Sequence, residues 1–118
     1  MKATKYFNST IDLGCGMVFN KSIRLVREQY IYGGMAVCAY LRNGEPWSDI
    51  TVNIPGHSIS DDTAFIDTNN NPWAEEFLVE NGIAKPTGLT ARSGYCIYPL
   101  YKFDMSNFKN LKTPKRYD

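Results

Sequence analysis

Cysteine and histidine are scarce in this chain of 118 residues, which has three cysteines and one histidine. Cys15, Cys38 and Cys96 are odd in number and far apart, and no two of them have the C-x-x-C spacing of a zinc site. We therefore expect neither a disulfide framework nor a structural metal. Such cysteine usage favours the reducing cytoplasm as the location of the protein.

Long hydrophobic runs are also absent. No stretch approaches the roughly 20 consecutive apolar residues that a membrane-spanning helix needs. The first residues carry charge, but no apolar run of the signal-peptide type follows them. The sequence therefore predicts a cytoplasmic protein without membrane contact.

Apolar and aromatic residues, by contrast, are plentiful. Hydrophobic residues make up 43% of the chain, which contains two Trp, eight Tyr and six Phe, so the composition is not that of a disordered protein. At this length we expect one domain with one core. We predict a single domain over residues 1–103 and a loose, polar, basic tail over residues 104–118.

The net charge of +1 is unevenly distributed along the chain. Residues 1–30 have five Lys and Arg against two Asp and Glu, residues 31–80 have one against eight, and residues 81–118 have seven against two. Such blocks either compensate one another in the fold or form separate charged faces. The near-neutral total argues against a dedicated DNA-binding protein, whose affinity depends on many phosphate contacts.

Two segments near the middle of the chain have strand patterns. Ile23 and Leu25 alternate with polar or basic neighbours, which is typical of a half-buried strand. Residues 35–41 are apolar on both faces, which predicts a central strand that is covered on both sides.

The central strand is followed by a hairpin signal. Asn43 and Gly44 suit the positive φ angles of a tight turn. Alternation resumes over residues 47–54, with Ile50 predicted to point inward and Thr51 outward. We therefore predict an antiparallel hairpin of two long strands.

A helix is predicted after a short strand at residues 64–66. Asn71 suits the N-cap and Pro72 the first helical position, and Gly82 is the expected left-handed terminator. Its apolar residues fall on one stripe: Trp73, Ala74, Phe77 and Leu78.

The remaining pattern predicts a loop and a last strand. Residues 83–94 contain one Pro and two Gly and are predicted as a loop. Residues 95–103 are predicted as a strand, in which Pro99 either marks a sheet edge or forces a bulge. The sequence thus predicts an α+β fold, an antiparallel sheet of about four to five strands with one main helix packed on it.

A calcium loop is imitated by Asp67, Asn69 and Asn71 but is not completed. Pro72 stands where such a loop requires Gly, and Leu78 stands where it requires a bidentate Glu. Caps and Asx turns account for the same residues. We therefore predict no metal site.

Catalytic pairs are equally unsupported. Nothing in the spacing of Cys96 and His57 favours a nucleophile and its base. Glu75 and Glu76 are adjacent and point about 100° apart on a helix, so they do not converge for acid–base chemistry. We predict no catalytic residue and no cofactor.

Two basic segments leave alternatives open. Residues 85–94 contain two Gly, three hydroxyl side chains and two cations, which suits an anion-binding loop, although a structural connector explains them too. Tyr95, Tyr98 and Tyr101 precede a lysine-rich tail, which fits either nucleic-acid binding or core aromatics followed by a solubilising segment.

The sequence resembles an uncharacterised bacterial family, the domain of unknown function numbered 4313. The resemblance covers about residues 35–103 and is most specific in the string Asp-Thr-Asn-Asn-x-Pro-Trp-Ala-Glu-Glu at residues 67–76. It is also carried by residues 51–55, 85–88 and 92–101. Conjugative elements, plasmids and phages carry this family, so the resemblance implies an accessory protein of a mobile element and supplies no activity.

The leading hypothesis for function is a non-enzymatic accessory protein that binds a host protein, such as a defence component. Its contact surface is predicted at residues 69–73 and 86–95. A weak nucleic-acid-binding protein and a small enzyme with an anion-binding loop at residues 85–94 are the alternatives. The predicted binding residues are Asp67, Asn69, Asn70, Trp73, Glu76, Thr87, Arg92, Ser93 and Tyr95.

Overall fold

The computed structural model of the chain describes residues 6–12, 18–30, 34–54, 57, 60–108 and 115–116. These residues form nine strands, one α-helix and one 3-10 helix. The α-helix is α1 (Ala74–Glu80), and the 3-10 helix spans Met105–Phe108. The strands are β1 (Tyr6–Asp12), β2 (Val18–Tyr30), β3 (Met35–Leu41), β4 (Pro46–Asp49), β5 (Thr51–Val52), β6 (Thr63–Ile66), β7 (Ala84–Ser93), β8 (Cys96–Phe103) and β9 (Lys115–Arg116).

The strands belong to two sheets rather than to the single sheet that the pattern suggests. One sheet has the order β1-β2-β3-β4, with β9 added in parallel to β2. The other has the order β5-β6-β8-β7, and every pair except β2–β9 is antiparallel. The predicted α+β class is confirmed, since antiparallel sheets are combined with one helix.

The two strand patterns near the middle of the chain are confirmed. Ile23 and Leu25 in β2 are buried, while their described neighbours in that strand are partly exposed. The residues from Met35 to Ala39 in β3 are all buried, as expected for a strand that is covered on both faces. The β3–β4 hairpin also forms as predicted, and its Gly44 has a φ of +92°.

The predicted strand over residues 47–54 is divided at Ile50, where the chain passes from one sheet to the other. The Ile50 N–H donates to the carbonyl of Val37 in β3 (2.9 Å), and its own carbonyl accepts from the N–H of Asp67 (2.8 Å). We call Ile50 and Thr51 the sheet junction. Both sheets form hydrogen bonds to this one segment. The hydrogen bonding of each sheet at this point is therefore complete only when the other sheet is also formed.

Thr51 is buried, so its predicted outward orientation is wrong. Its side chain is 4% exposed, and its hydroxyl accepts a hydrogen bond from the Val37 N–H (3.0 Å). The Tyr30 hydroxyl lies 3.1 Å from the same oxygen. The threonine side chain thus supplies an acceptor for β3 at the point where strand pairing with β4 has ended.

The helix begins later than predicted, because Asn71 does not cap it. The Asn71 side chain is 2% exposed, and its amide donates to the carbonyl of Asp49 (2.8 Å) and accepts from the hydroxyl of Ser48. Trp73 occupies the N-cap position of α1 without a side-chain hydrogen bond. Asn71 therefore ties the helix entrance to β4, and Pro72 precedes the helix.

The predicted end of the helix is confirmed. Gly82 has a φ of +65°, its N–H donates to the carbonyl of Val79, and the N–H of Ile83 donates to the carbonyl of Leu78. These two bonds form a Schellman motif, which satisfies carbonyls that a helix end leaves without partners. No helix among the described residues is long and apolar enough to cross a membrane.

The apolar stripe of α1 is buried as predicted. The ring of Phe77 meets Trp73 edge-on with ring centroids 5.5 Å apart, and it meets Phe7 of β1 at 6.1 Å. One hydrophobic core joins α1 to both sheets, and its largest fully buried side chains are Ile23, Met35, Ile50, Ile66, Leu78, Ile83 and Val37.

The prediction of a loop over residues 83–94 is wrong, because β7 occupies nearly all of this segment. The pairing of β7 with β8 shifts register between Pro86 and Thr90, so residues 87–89 form a bulge. Gly88 in this bulge has a φ of +88°. The Pro and Gly residues that resemble a loop signal are thus accommodated by a bulged strand.

The sheet-edge alternative for Pro99 is wrong, since β8 lies between β6 and β7, and the bulge next to Pro99 belongs to β7 rather than to its own strand. The Leu100 carbonyl accepts a hydrogen bond from the hydroxyl of Thr87 and therefore faces β7. Because backbone groups of successive residues face opposite sides, Pro99 faces the β6 side. The last pair between β6 and β8 is Phe65 with Leu100, so Pro99 lies beyond the paired part of β6. A backbone N–H at this position would have no partner in β6, and proline is therefore tolerated.

The segment predicted as a loose tail returns to the fold where it is described. Phe108 in the 3-10 helix is buried in the main core, with its ring centroid 6.2 Å from that of Phe103. Farther along, Lys115 and Arg116 pair with the end of β2. These parts of residues 104–118 therefore contribute to the packed structure.

Replacing Tyr101 with phenylalanine should change how stability depends on alkaline pH. Burial first, and then the hydrogen bond to the Glu75 carboxylate (2.7 Å), raise the pKa of the Tyr101 phenol above its ordinary value of 10.0. Above pH 10 the unfolded chain loses this proton while the folded protein keeps it, so the free energy of unfolding falls as pH rises. Urea unfolding at several alkaline pH values should show a shallower fall for Tyr101→Phe.

The control for this measurement is Tyr95→Phe, because Tyr95 is fully exposed. It should follow the parent protein at every pH. Equal slopes for Tyr101→Phe and the parent would show that the Tyr101 phenol does not couple ionisation to folding.

Candidate binding surface

The β7–β8 hairpin extends beyond the rest of its sheet. β8 pairs with β6 only at residues 100–102, whereas its pairing with β7 continues to Ser93 and Cys96. Residues 90–99, which we call the hairpin tip, therefore pair only with each other among the described residues.

A two-residue turn forms the apex of the hairpin tip. Gly94 occupies its first central position with a φ of +63°, a left-handed conformation that two-residue hairpin turns require and glycine adopts without strain. Tyr95 follows at the second central position, and its side chain is fully exposed. The sequence thus places an aromatic ring at the most protruding point of the hairpin.

Exposed apolar side chains are concentrated on this hairpin. Among the described residues, four large hydrophobic side chains are exposed, and three of them are Leu89, Tyr95 and Ile97. Ile97 lies directly opposite Arg92 across the ladder, so an apolar and a cationic side chain share one face. Tyr95 and Ile97 thus leave apolar surface exposed near the apex, and exposed apolar patches often mark interaction sites.

The opposite face of the hairpin tip is packed. Ala91 is buried in a second hydrophobic cluster with Ile54 and Phe65, against which Tyr98 and Leu100 pack. Because one face of the hairpin tip packs on this cluster, the cluster supports the two strands that carry the exposed side chains of the tip.

The charges of the hairpin are all of one sign. Residues 84–103 contain Lys85, Arg92 and Lys102 and no Asp or Glu. Lys102 lies 3.8 Å from the Asp62 carboxylate, and both side chains are substantially exposed. Of these cations, Arg92 lies next to the exposed Ile97, and the two lysines lie at the other end of the hairpin.

Helix α1 carries the opposite charge. Glu75, Glu76 and Glu80 lie on it, and the hydrogen bond and negative charge of Glu76 raise the pKa of Glu80. The acidic helix meets the basic hairpin where the Tyr101 hydroxyl bonds Glu75. The acidic helix and the basic hairpin thus adjoin at this contact.

The free edge of the hairpin is not suited to accept another strand. β7 is the edge strand of its sheet, but Pro86 has no N–H and the bulge at residues 87–89 interrupts the edge. Lys85 and Arg92 add charge to the same strand. Since such features oppose strand addition, side chains rather than backbone groups are available for recognition.

The structure brings several predicted binding residues to this end of the molecule. Arg92, Ser93 and Tyr95 are exposed on the hairpin tip. The pKa of Tyr98 is raised first by a hydrogen bond that its hydroxyl donates to Cys96, then by burial and by the negative charges of Cys96 and of Asp67, which follows β6. The turn that begins at Asp67 is therefore close to the tip.

The turn after β6 is held by its own side chains. The Asp67 carboxylate accepts hydrogen bonds from the backbone N–H of Asn70 (3.1 Å) and from its side-chain amide (2.8 Å). Asn69 and Asn70 are exposed. The Asp67 side chain thus closes this turn, and no cluster of His, Cys, Asp and Glu within the described part of the chain could hold a metal ion.

Other predicted binding residues lie elsewhere or are not accessible. Trp73 is 8% exposed and packs in the main core, so little of its side chain is accessible to a partner. Glu76 is exposed on the acidic helix, and Thr87 lies in the bulge, where its hydroxyl donates to Leu100 (3.0 Å). Sequence reasoning missed Ile97. β8 is apolar on both faces, and this pattern does not show where the neighbouring strand β6 ends and leaves Ile97 exposed.

The three tyrosines near the tail do not form an exposed row. Tyr101 is buried in the main core, and Tyr98 packs on the second cluster, so only Tyr95 is fully exposed. A stacking surface for nucleic-acid bases that depends on all three is therefore not present.

Comparison with known proteins identifies a matching family model. A family model described as a domain of unknown function, DUF4313, matches residues 25–116, which extend from β2 to β9. No curated protein and no solved structure matches the chain significantly.

Proposed function

The chain belongs to the DUF4313 family, a domain of unknown function, and we propose that it is a non-enzymatic protein that binds another protein through the hairpin tip. The observation that carries the proposal is the fully exposed ring of Tyr95 at the apex of a supported strand pair. Tyrosine and arginine are the residue types that most often dominate binding energy at protein interfaces. Tyr95 and Arg92 stand beside the exposed Ile97 on this tip.

The chemistry of the tip defines the partner surface that would fit it. An apolar recess would take Tyr95 and Ile97, and carboxylates around that recess would face Arg92. Arg92 on the tip, where the hairpin has no carboxylate, favours an acidic partner through electrostatic attraction.

We further propose that the partner is a host protein, such as a defence component, and that this chain is an accessory of a mobile genetic element acting in the cytoplasm. The resemblance to proteins of conjugative elements, plasmids and phages supports the first two statements. The cysteine usage supports the third.

Crosslinking from the apex tests the proposal. A photo-reactive phenylalanine at position 95 should give one dominant crosslinked protein in a lysate of the bacterium that encodes the chain. The same group at position 80, on the acidic helix, should not give that product. Failure at position 95, or an identical product at both positions, would contradict recognition by the hairpin tip.

Affinity for the purified crosslinked protein gives the quantitative prediction. Tyr95→Ala should weaken binding at least 30-fold, about 2 kcal/mol, as expected for a dominant interface residue. The control is Val79→Ala, which shortens an exposed apolar side chain on α1 and should change the dissociation constant less than about 2-fold. Calorimetric titration measures both, and equal affinities for Tyr95→Ala and the parent would refute the proposal.

Nucleic-acid binding is less favoured by the geometry, since one of the three tyrosines is fully exposed. Fluorescence anisotropy with labelled oligonucleotides at low salt distinguishes this hypothesis, because phosphate contacts are strongest there. Binding that Tyr95→Ala and Arg92→Ala both weaken would replace a protein partner with a nucleic acid. The enzyme hypothesis depended on a loop at residues 85–94, which is β7 instead.

A further inference from the structure

The outer edge of β1 pairs with no other strand among the described residues. β1 is the edge strand of the first sheet, and its seven residues pair with β2 in one uninterrupted register. The strand contains no proline, glycine or lysine, and its single charged residue, Asp12, stands at its end. Proteins usually protect an edge strand by shortness, proline, lysine or a bulge. β1 has none of these protective features.

The other strand edges that the structure describes carry such protection. β4, at the opposite edge of the first sheet, has four residues, begins with Pro46 and pairs with β3 in an irregular register. β5 and β9 have two residues each. β7 contains Pro86 and the bulge at residues 87–89. Of the described edges, β1 is therefore the best suited to accept another strand.

Hydrogen bonds inside the first sheet show to which side each residue of β2 directs its backbone groups. The Tyr30 N–H donates to the carbonyl of Gly34 on the β3 side (3.0 Å). Because backbone groups of successive residues face opposite sides, the odd-numbered residues of β2, Ile23 among them, bond towards β1. The Leu41 N–H donates to the Glu45 carbonyl on the β4 side (2.8 Å), which gives the same alternation through the β2–β3 register.

The same alternation assigns the backbone groups of β1. Ile23 is paired with Phe7, so the odd-numbered residues of β1 bond to β2. The even-numbered residues direct their N–H and carbonyl groups away from the sheet. These outward-facing residues are Tyr6, Asn8, Thr10 and Asp12.

We propose that the edge of β1 pairs with β1 of a second copy of this chain, antiparallel and about a two-fold axis at Ser9. In this register Tyr6 lies opposite Asp12 and Asn8 lies opposite Thr10, so every outward N–H and carbonyl of both strands gains a partner. A shift of the register in either direction leaves one outward residue of each β1 without a partner in the other. The two Asp12 residues lie at opposite ends of the paired strands, so like charges are not opposed.

This pairing is closed, because the same edge of both copies is used up in one two-fold contact. The product is a dimer in which the first sheets of two copies are continuous. The hairpin tip belongs to the second sheet, so the dimer does not depend on the proposed recognition of another protein.

Sedimentation equilibrium of the full chain over a range of concentrations tests the association. The mean mass should rise from that of one chain to that of two and no further, with a dissociation constant of about 100 µM or lower, as expected for a small interface. A mass of one chain at every concentration up to about 500 µM would overturn the proposal. Growth beyond two chains would contradict the closed two-fold pairing.

Proline substitutions at neighbouring positions distinguish the outward groups from those bonded to β2. Asn8→Pro removes an outward N–H and should weaken the dimer about 10-fold or more, while dilute protein melts close to the temperature of the parent. Ser9→Pro removes an N–H that bonds β2 and should lower the melting temperature of dilute protein. A dimer that Asn8→Pro leaves unchanged would refute pairing through this edge.

Disulfide formation tests the register without requiring a proline. In a chain that also carries Cys15→Ser and Cys96→Ser, Ser9→Cys should give a disulfide-linked dimer under mild oxidation. The two positions form a pair without mutual hydrogen bonds, with Cα atoms about 4.5 Å apart, which a disulfide can span.

Tyr6→Cys in the same background is the control for this register. Position 6 lies opposite position 12 of the second copy, so the two introduced thiols are about 20 Å apart and should not link. Absence of the linked dimer for Ser9→Cys, or equal linking by Tyr6→Cys, would contradict the two-fold axis at Ser9.

Discussion

Replacing Phe77 with alanine is expected to lower the free energy of unfolding by about 3–5 kcal/mol. The Phe77 side chain is 3% exposed and contacts the rings of Trp73 and Phe7, in a core shared by α1 and both sheets. Its removal leaves a cavity that the surrounding strands cannot fill without distortion. Urea denaturation monitored by circular dichroism measures the change.

Val79→Ala is the matched control, since Val79 lies two positions later on the same helix and is 51% exposed. This substitution should change the free energy of unfolding by less than about 0.5 kcal/mol. An equally small change in the free energy of unfolding for Phe77→Ala would contradict the packing of α1 against the sheets.

Thr51→Val should cost about 1–3 kcal/mol, although the two side chains have nearly the same shape. The Thr51 hydroxyl accepts a hydrogen bond from the Val37 N–H, and valine would leave that buried N–H without an acceptor. Because the two side chains have nearly the same volume, the loss reports the hydrogen bonds of the Thr51 hydroxyl with Val37 and Tyr30 and not a cavity. Chemical denaturation of the variant and the parent gives the difference.

An exposed threonine supplies the comparison for this variant. Thr90→Val alters the same groups on the exposed surface of β7 and should change stability by less than about 0.5 kcal/mol. Equal effects at positions 51 and 90 would mean that the sheet junction gains nothing from its side-chain hydrogen bond.

Sequence patterns predicted those parts of the fold that local periodicity specifies. The burial of Ile23 and Leu25 follows from alternation, and the buried stripe of α1 follows from helical spacing. Gly82 ends the helix as predicted. This helix end requires a left-handed backbone conformation at one position, and the glycine at that position supplies it.

Features that depend on distant residues were not predictable. The alternation of apolar and polar residues is the same whether the strand continues through Ile50 or changes sheets there. The alternation therefore predicts the wrong face for Thr51. An asparagine before a helix suits a cap equally well, and Asn71 is buried instead because Ser48 and Asp49 stand beside it in the fold. Both errors concern contacts between segments far apart in the sequence.

The candidate surface was predicted in part for the same reason. Arg92, Ser93 and Tyr95 were identified from their polar and aromatic chemistry, and they lie on the hairpin tip. The exposure of Ile97 and the burial of Trp73 were not predictable, because they depend on where β6 ends and on what covers the helix entrance. Neither quantity is encoded in the local pattern.

The sheet junction has a consequence for cooperativity. Both backbone groups of Val37 in the first sheet are bonded to Ile50 and Thr51, and the carbonyl of Ile50 is bonded to Asp67 at the end of β6 in the second. Fraying of either sheet at this point would expose donors and acceptors that belong to the other. The two sheets should therefore melt in a single all-or-none transition, with no half-folded species in which one of them survives alone.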